Sequence, residues 1–479
     1  MKMIIGNKSV SASDNETIQV TNPYDGSFID TIPHATREDV DMAVQHAVTA
    51  QKSWKKVPVH QKADLAMAFL ELVRENKEDL AQTLTLESGK NITEARNEIN
   101  NIFTAWRAFC EKAKHLYGNI IPAGMEKGHD KNIVLTKREP VGVVACIIPF
   151  NFPCNLFNQK VAPALLSGNT AIIKPASDNP LTVCKLTELL RSAGFPAGVV
   201  QVVTGYGSTT GNYLCSHEDV NVISLTGSTD VGISVAVSAA RSLKKAALEL
   251  SGNDAFIVLE DADLELAVRE AVRARFYNAG QICCAPKRFL IHKSLYSRFL
   301  QEAVKYASAL QNGNPLDEKT QVGTLINERA AAEVEKQVAL TIRQGSRLLL
   351  GGKRSGAFME PSILADVPFD ADIMHNMEVF GPVMPVTSFE TDDEAIALAN
   401  DSVFGLGAGV FTKDLGKSAR FTSELECGSV VINGSSYLRS FEIPFGGWKR
   451  SGLGTEGVFS TFEEFTKIKC IALKEIISF

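Results

Sequence analysis

The sequence has no long apolar run, no polybasic block and no surplus of positive charge. Its 479 residues carry 49 Lys and Arg against 55 Asp and Glu, a formal net charge of −6. Nucleic acids and anionic membranes are bound through clustered positive charge, so we expect neither as a partner. The most apolar stretch, 141–157, contains two prolines and two asparagines. A membrane-spanning helix needs about 20 apolar residues in succession, so the sequence predicts none.

The cysteines are scattered and odd in number. There are nine of them, and the apolar run at the amino terminus is too short for a secretory signal. We therefore expect free thiols and a cytoplasmic location rather than a disulfide framework. Hydrophobic residues make up 45% and charged residues 22%, which is typical of a globular protein. At about 100–200 residues per domain, the length predicts two to four domains.

The pattern of apolar residues changes along the chain. The first 110 or so residues have apolar side chains at three- and four-residue spacing, which indicates helices. From Val141, short apolar runs alternate with helical segments, and a second alternating block extends from about 246 to 431. This alternation predicts parallel sheets with crossover helices, the doubly wound α/β class. A last strand-like stretch, 466–478, must pair with another strand, either in this chain or in another subunit.

Cys283 is the candidate nucleophile. It follows a predicted helix, Leu264–Tyr277, in a turn that begins with Gly280. A thiolate exposed in such a turn is a strong nucleophile, although a buried structural thiol is the common alternative. Cys283 and Cys284 could also bind a metal. No second Cys or His pair with zinc spacing lies nearby, so we expect no metal.

Three further segments carry candidate functional groups. Asn151 follows a predicted strand, where its amide could stabilise an oxyanion, but it could also be a turn residue. Glu249 lies between leucines, and burial would raise its pKa toward that of a useful base. A strand glutamate in an ion pair is the alternative. Gly227 and Ser228 follow a strand at a helix start, where free amides could bind a pyrophosphate. This last signal is weak, because the segment is not a G-x-G-x-x-G motif.

Taken together and in this order, the motifs resemble the aldehyde dehydrogenase superfamily over essentially the whole chain. The matching segments are Pro149–Pro153, Ile173–Pro175, Thr226–Ser228, Leu248–Gly252, Gly280–Cys283, Glu378–Pro382 and Pro444–Gly447. The resemblance implies an α/β fold with two doubly wound domains and a β oligomerisation arm. It implies an NAD(P)-binding domain at 1–117 and 138–246 and a catalytic domain at 247–457. The arm would take 118–137 and 458–479, and the family assembles through such arms as dimers or tetramers.

The resemblance also assigns roles. Cys283 would attack an aldehyde to give a thiohemiacetal, and Asn151 would stabilise the oxyanion together with the Cys283 N–H. Glu249 would activate the water that hydrolyses the thioester formed by oxidation. The cofactor, NAD or NADP, would lie against residues of the first domain and of the 378–382 segment: Ile148, Pro149, Phe150, Lys174, Ser177, Gly207, Gly227, Ser228, Leu250, Glu378 and Phe380.

Cofactor choice depends on one departure from the family pattern. Strict NAD enzymes of the family usually carry Glu three residues after the lysine, where it repels a 2′-phosphate. This chain has Ser177 there, followed by Asp178. We expect NADP to be tolerated, although Asp178 could restore some repulsion.

The implied substrate is a short aliphatic aldehyde with, in several related branches, an anionic tail. These branches are the lactaldehyde, phosphonoacetaldehyde and succinate semialdehyde dehydrogenases. Arg107 and Arg439 are candidate anion partners, since a guanidinium can bind a carboxylate, sulfonate or phosphonate bidentately. Gln159 stands where the succinate semialdehyde branch usually has Arg. Arg288, directly after Lys287, is interpreted as part of a structural pair.

Two alternatives stay open. A CoA-acylating aldehyde dehydrogenase would use CoA in place of water, but those relatives commonly lack the glutamate that Glu249 supplies here. A non-catalytic protein that kept the fold would have no reason to keep Cys283, Asn151 and Glu249 together.

Overall fold

The computed structural model describes residues 1–476. The last three positions of the predicted arm and the end of the predicted terminal strand lie outside this range. None of the helices in it is long and apolar enough to cross a membrane. The fourteen α-helices are α1 (Arg37–Trp54), α2 (Val59–Glu75), α3 (Lys77–Ser88), α4 (Ile92–Ala113), α5 (Pro153–Leu166), α6 (Leu181–Ser192), α7 (Asn212–Ser216), α8 (Thr229–Ala240), α9 (Leu264–Phe276), α10 (Lys293–Ser308), α11 (Glu328–Arg343), α12 (Asp392–Asn400), α13 (Leu415–Glu424) and α14 (Ser460–Glu464).

The first large sheet has eight strands. Their order across the sheet is β2 (Lys8–Val10), β1 (Met3–Ile5), β9 (Val200–Val202), β8 (Thr170–Lys174), β7 (Val143–Ile147), β10 (Val222–Thr226), β11 (Lys245–Glu249) and β23 (Gly452–Leu453). The five strands from β9 to β11 pair in parallel, and the pairs outside them are antiparallel. Strands β7, β8 and β10 are almost entirely buried, as expected where helices cover both faces of a parallel sheet.

The second large sheet has seven strands and is mainly parallel. Their order is β14 (Arg347–Leu350), β17 (Ser362–Ala365), β18 (Val383–Phe389), β13 (Pro286–His292), β12 (Asp254–Val258), β20 (Gly407–Phe411) and β21 (Ser429–Ile432). Only the β14–β17 pair is antiparallel among the described residues of this sheet. Two mainly parallel sheets with crossover helices confirm the predicted α/β class.

A three-stranded antiparallel sheet contains β24 (Thr466–Leu473), β6 (Ile133–Pro140) and β5 (Ile120–Ile121). The carboxyl-terminal strand β24 pairs with β6 of the same chain over eight residues, so it finds a partner without a second subunit. β24 lies at the edge of the sheet, where its other side is free to accept a further strand. Ile468 on β24 and Ile120 on β5 are exposed.

Three two-stranded sheets complete the strand pairing. They are formed by β3 (Thr17–Thr21) with β4 (Phe28–Pro33), β15 (Arg354–Ser355) with β16 (Phe358–Met359), and β19 (Phe404–Gly405) with β22 (Trp448–Lys449).

Strand β11 and helix α5 show how the local sequence determines the elements that carry the site. The predicted domain boundary at 246/247 falls inside β11, whose last residue is Glu249, and β23 from the predicted second domain also joins the first sheet. Helix α5 begins at Pro153. Proline is favoured in the first turn because its missing N–H has no intrahelical partner to lose. The helix therefore starts directly after Asn151 and Phe152.

Candidate active site

Cys283 lies in a tight turn between α9 and β13. A short 3₁₀ segment, Tyr277–Gly280, precedes it, and there Asn278 and Ala279 have φ values of 50° and 51°. Positive φ is uncommon for residues with side chains and costs energy unless the surroundings hold it. Here the N–H of Asn278 donates to Glu94 Oε2 at 3.0 Å. The turn leaves Cys283 half-buried.

Cys283 faces a cavity of about 440 Å³. The cavity brings together three predicted site residues besides Cys283. These are Asn151, Gln159 and Arg439. Apolar and aromatic side chains, among them Phe152, Tyr437 and Phe441, form much of the remaining wall. A concave, largely apolar pocket with a few convergent polar groups suits a small molecule.

Asn151 is held by two donors from distant parts of the chain. Its carbonyl accepts hydrogen bonds from Lys90 Nζ at 2.9 Å and from Asn278 Nδ2 at 3.0 Å. Lys90 is itself buried and pairs with Glu98 of α4. Glu98 Oε1 also accepts the N–H of Cys154 at 2.8 Å, at the start of α5. The Asn151 turn and the Cys283 turn therefore share a common buried support.

Glu249 ends β11, and its Oε2 is buried without a hydrogen-bond partner among the described residues. Burial raises the pKa of Glu249 well above its ordinary value, and the negative charge of Glu456 raises it further. The Lys160 ammonium acts in the opposite direction. The potential Cys283 thiolate also raises the pKa of Glu249, so the two predicted catalytic groups interact through their charges.

Sequence reasoning assigned no role to the buried ions around these groups. Lys160 on α5 and Glu456 form an ion pair with both side chains almost fully buried. Lys90 and Glu98 form another. Its position as the one charged residue of helix α5 was the available signal for Lys160. Nothing in the local sequence indicated its partner, which lies 296 positions away.

The two active-site thiols affect each other. A hydrogen bond with Cys284, followed by burial, raises the pKa of the Cys283 thiol, while the charges of Lys287 and Arg439 lower it. Cys284 is more deeply buried, 4% exposed, and its carbonyl accepts a hydrogen bond from Ser436 Oγ at 2.8 Å. Because its pKa is raised, Cys283 is favoured as a thiol. A base has to remove the thiol proton before the sulfur can act as a nucleophile.

The residues predicted to hold the pyrophosphate lie where β10 ends and α8 begins. Gly227 is half-buried, and Ser228 is the exposed N-cap residue, whose side chain makes no capping hydrogen bond. The first amides of α8 are therefore free to bind an anion. Leu250 is buried nearby against Gly232 of α8. Gly207 is exposed in a short π-helical segment, Gly207–Gly211.

The predicted ribose and nicotinamide contacts come from the end of β8 and from the 378–382 segment. Lys174 ends β8, and its Nζ donates to the carbonyl of Pro175 at 2.9 Å. Burial lowers the pKa of Lys174 to about 8. Phe150 and Phe380 face each other edge to face, 5.8 Å between ring centroids, and Ile148 and Pro149 precede Phe150. Lys174 has hydrogen-bond donors that the described part of the protein does not use, and the amides at the start of α8 are free. Such groups suit the hydroxyls and phosphates of a dinucleotide.

Glu378 is half-buried and uses one carboxylate oxygen within the protein. Its Oε1 accepts the N–H of Gly252 at 3.2 Å and lies 3.2 Å from Lys287 Nζ. Oε2 is thereby left available to a ligand.

Ser177 and Asp178 line a separate cavity of about 590 Å³. Ser177 is half-buried and Asp178 is exposed. The Asp178 carboxylate accepts a hydrogen bond from Asn327 Nδ2 at 2.8 Å, so part of its capacity as an acceptor is used within the protein.

The candidate substrate residues differ in placement. Arg439 lines the cavity, its guanidinium lies 3.6 Å from the centroid of the Phe445 ring, and its Nη1 is buried without a partner in residues 1–476. Gln159 is 2% exposed, with an equally unpartnered Oε1. Arg107 is exposed and is not among the residues that line the cavity. Asn101 and Thr104 of the same helix line it instead, together with Arg273 of α9.

Comparison with known proteins gives consistent results. The Aldehyde dehydrogenase family matches residues 10–471. A 3-sulfolactaldehyde dehydrogenase from Pseudomonas putida is 39% identical over 97% of this chain and 95% of its own length. The NADP(+) succinate-semialdehyde dehydrogenase of Escherichia coli K12 is 38% identical over 98% and 97%. A lactaldehyde dehydrogenase from Methanococcus vannielii is 36% identical over 96% and 97%.

Solved structures agree with the fold. One, described as an Escherichia coli NADP dependent enzyme, superposes with a TM-score of 0.95 at 37% identity. The match covers 99% of this chain and 98% of the other.

Proposed function

The chain belongs to the aldehyde dehydrogenase family, and we propose that it oxidises short aliphatic aldehydes with an anionic tail to carboxylic acids, using NAD(P)+. The observation that carries this proposal is the shared cavity of Cys283 and Arg439, in which a buried guanidinium nitrogen has no partner among the described residues. A buried donor without a partner costs free energy, and an anionic substrate group would remove that cost.

In this mechanism Cys283 Sγ attacks the aldehyde carbonyl carbon. The thiol proton leaves to a base, and the carbonyl oxygen becomes an oxyanion, which the Asn151 side-chain amide and the Cys283 N–H stabilise. NAD(P)+ would be held by five predicted cofactor residues, Lys174, Gly227, Ser228, Glu378 and Phe380. When bound, it supplies a hydride acceptor. Oxidation of the adduct leaves an acyl group on Cys283 as a thioester.

Hydrolysis of the thioester falls to Glu249. The raised pKa of Glu249 makes it a stronger base than an ordinary carboxylate once it is ionised. Its free Oε2 can take a proton from a water as the water attacks the thioester carbon. The C–S bond then breaks, the acid leaves, and Cys283 is regenerated. A hydrolytic base at this position favours water over CoA as the acceptor of the acyl group.

Arg439 and Gln159 would recognise the substrate tail. A guanidinium binds carboxylate, sulfonate and phosphonate groups with two parallel hydrogen bonds, and Gln159 can donate through its amide. The names of relatives, 3-sulfolactaldehyde dehydrogenase and succinate-semialdehyde dehydrogenase, describe substrates with such tails.

For the cofactor we infer use of NADP as well as NAD. Ser177 carries no charge to repel a 2′-phosphate, and the Asp178 carboxylate is already engaged by Asn327. The relative from Escherichia coli is named for NADP(+).

The predicted organisation stays part of the proposal. It consists of an NAD(P)-binding domain (1–117 and 138–246), a catalytic domain (247–457) and an arm (118–137 and 458–479) for self-association as a dimer or tetramer, in the cytoplasm. The free edge of β24 and the exposed Ile468 support self-association.

The test is an NAD(P)H absorbance screen of acetaldehyde, lactaldehyde, succinate semialdehyde, 3-sulfolactaldehyde and phosphonoacetaldehyde with each cofactor. We expect kcat/KM to be highest for an anionic aldehyde. A preference for neutral aldehydes across the set would contradict the proposed tail recognition.

A further inference from the structure

Lys287 is a buried lysine for which the proposed reaction has no use. Its side chain is 1% exposed, and it lies on β13, four residues after Cys283. Nζ donates to the carbonyl oxygen of Ile282 at 2.8 Å and to that of Cys283 at 2.6 Å. Lys287 and Arg288 were predicted to form a structural pair, but they bind carbonyls in different parts of the structure. Within residues 1–476, Arg288 donates only to carbonyls away from the nucleophile turn, such as those of Asn253 and Ala399.

The two carbonyls that Lys287 binds belong to the peptide groups on either side of Cys283. The carbonyl of Ile282 and the N–H of Cys283 are parts of one planar, conjugated unit. This N–H donates no hydrogen bond to any residue in 1–476, so it is available to an oxyanion. A donor on the carbonyl of a peptide polarises the unit and strengthens its N–H as a donor, and a charged donor does so more strongly.

The Lys287 ammonium also contacts a predicted cofactor-binding residue. It lies 3.2 Å from Glu378 Oε1, and this oxygen also accepts the N–H of Gly252. A Cβ at Gly252 would stand 2.8 Å from the Cys283 carbonyl oxygen, so there is no room for a side chain there. Lys287, Glu378, Gly252 and the Cys283 peptide thus form one close-packed cluster, with the buried Asp254 as a second acidic group near Lys287.

We propose that Lys287 is a positioning residue for this reaction: its ammonium holds and polarises the Ile282–Cys283 peptide, which makes the Cys283 N–H a strong oxyanion donor, and anchors this peptide to Glu378. The inference rests on the proposed function, because it concerns the oxyanion that forms when Cys283 attacks a carbonyl.

The test compares two reactions of Cys283 in the cofactor-free enzyme at one pH. Acylation by 4-nitrophenyl acetate passes through an oxyanion: the S–C bond forms, and 4-nitrophenolate leaves. Alkylation by iodoacetamide displaces iodide and forms no oxyanion. Both need the thiolate, so their ratio cancels changes in thiolate fraction caused by Lys287, Arg439, Cys284 or Glu249. Peptide mass spectrometry assigns both products to Cys283.

Removing an oxyanion-hole donor costs about 10²–10³ in rate, so weakening one predicts a smaller loss. In Lys287→Met the ratio of acylation to alkylation should fall by about five- to fiftyfold. In Lys287→Gln, which keeps a neutral donor, the ratio of acylation to alkylation should fall less. This variant also serves if Lys287→Met does not fold. Lys244→Met is the matched control, because Lys244 Nζ also donates to two carbonyls, those of Cys215 and His217, away from the cavity. Its ratio should not change.

An unchanged ratio in folded Lys287→Met or Lys287→Gln would overturn the inference, as would an equal fall in Lys244→Met. Failure of the proposed function gives a different result. Wild-type enzyme would then show the ester reaction but would oxidise no aldehyde with either cofactor.

Discussion

Replacing Arg439 should remove the preference for anionic aldehydes. Arg439 lines the cavity with Cys283, and its buried Nη1 has no partner in the described part of the chain. A hydrogen bond to a charged group contributes about 1.5–3 kcal/mol. With 1.36 kcal/mol per tenfold change in rate, this energy corresponds to about 10- to 150-fold in kcat/KM. Arg439 is only half-buried, so the lower half of this range is expected.

The charge of Arg439 also lowers the pKa of the Cys283 thiol, so its loss should slow every substrate to some extent. The informative quantity is therefore a ratio, kcat/KM for succinate semialdehyde over that for butanal, which has the same number of carbons and no charge. In Arg439→Ala this ratio should fall by about 10- to 40-fold, the lower half of that range. Arg439→Lys keeps the charge but loses the planar fork, so its ratio should lie between those of Arg439→Ala and the wild type.

Arg269→Ala serves as the control. Arg269 lies on α9 with 57% of its side chain exposed and contacts only Glu265 among its possible ion-pair partners in 1–476. Its ratio should equal that of the wild type. If Arg439→Ala slows the oxidation of both substrates by the same factor, Arg439 acts on the Cys283 thiol alone and does not recognise the substrate tail.

Three further predictions concern catalysis and cofactor choice. In Glu249→Gln, a rapid first turnover of NAD(P)H should remain while steady-state turnover falls by about 10²–10⁴-fold, as stopped-flow absorbance would detect; equal loss of both phases would contradict the assignment. In the wild type, the rate of thioester hydrolysis should still rise with pH above the range in which an ordinary glutamate ionises, since burial and Glu456 raise the pKa of Glu249 and the base acts only when ionised. A rate independent of pH above that range would argue against a raised pKa. Ser177→Glu should raise KM for NADP by at least about tenfold through like-charge repulsion and change KM for NAD little; parallel changes for both cofactors would show that Ser177 is not near the 2′ position.

The sequence predicted the α/β class and the regions of the site because these depend on short segments. Glu249 ends a strand, and Asn151 and Cys283 lie in short turns between a strand and a helix. Such boundaries are visible as changes in apolar pattern. The predicted helix at Leu264–Tyr277 is α9, one residue shorter.

What the sequence could not provide was long-range pairing and the rotational phase of helices. Glu456 pairs with Lys160 across 296 positions, and no local pattern joins them. Arg107 shows the problem of phase. With 3.6 residues per turn, it lies about 120° around α4 from Asn101, which lines the cavity. Thr104 lies about 60° from Asn101 and reaches the same wall, whereas Arg107 faces away from it.

The proposed mechanism requires Cys283 to carry the substrate as a covalent thioester. Intact-protein and peptide mass spectrometry of Glu249→Gln, quenched in acid after mixing with NADP+ and succinate semialdehyde, detects this thioester. We expect one added acyl group per chain on Cys283, formed in step with NADPH. NADPH formation without an adduct, or an adduct on Cys284 in its place, would contradict it.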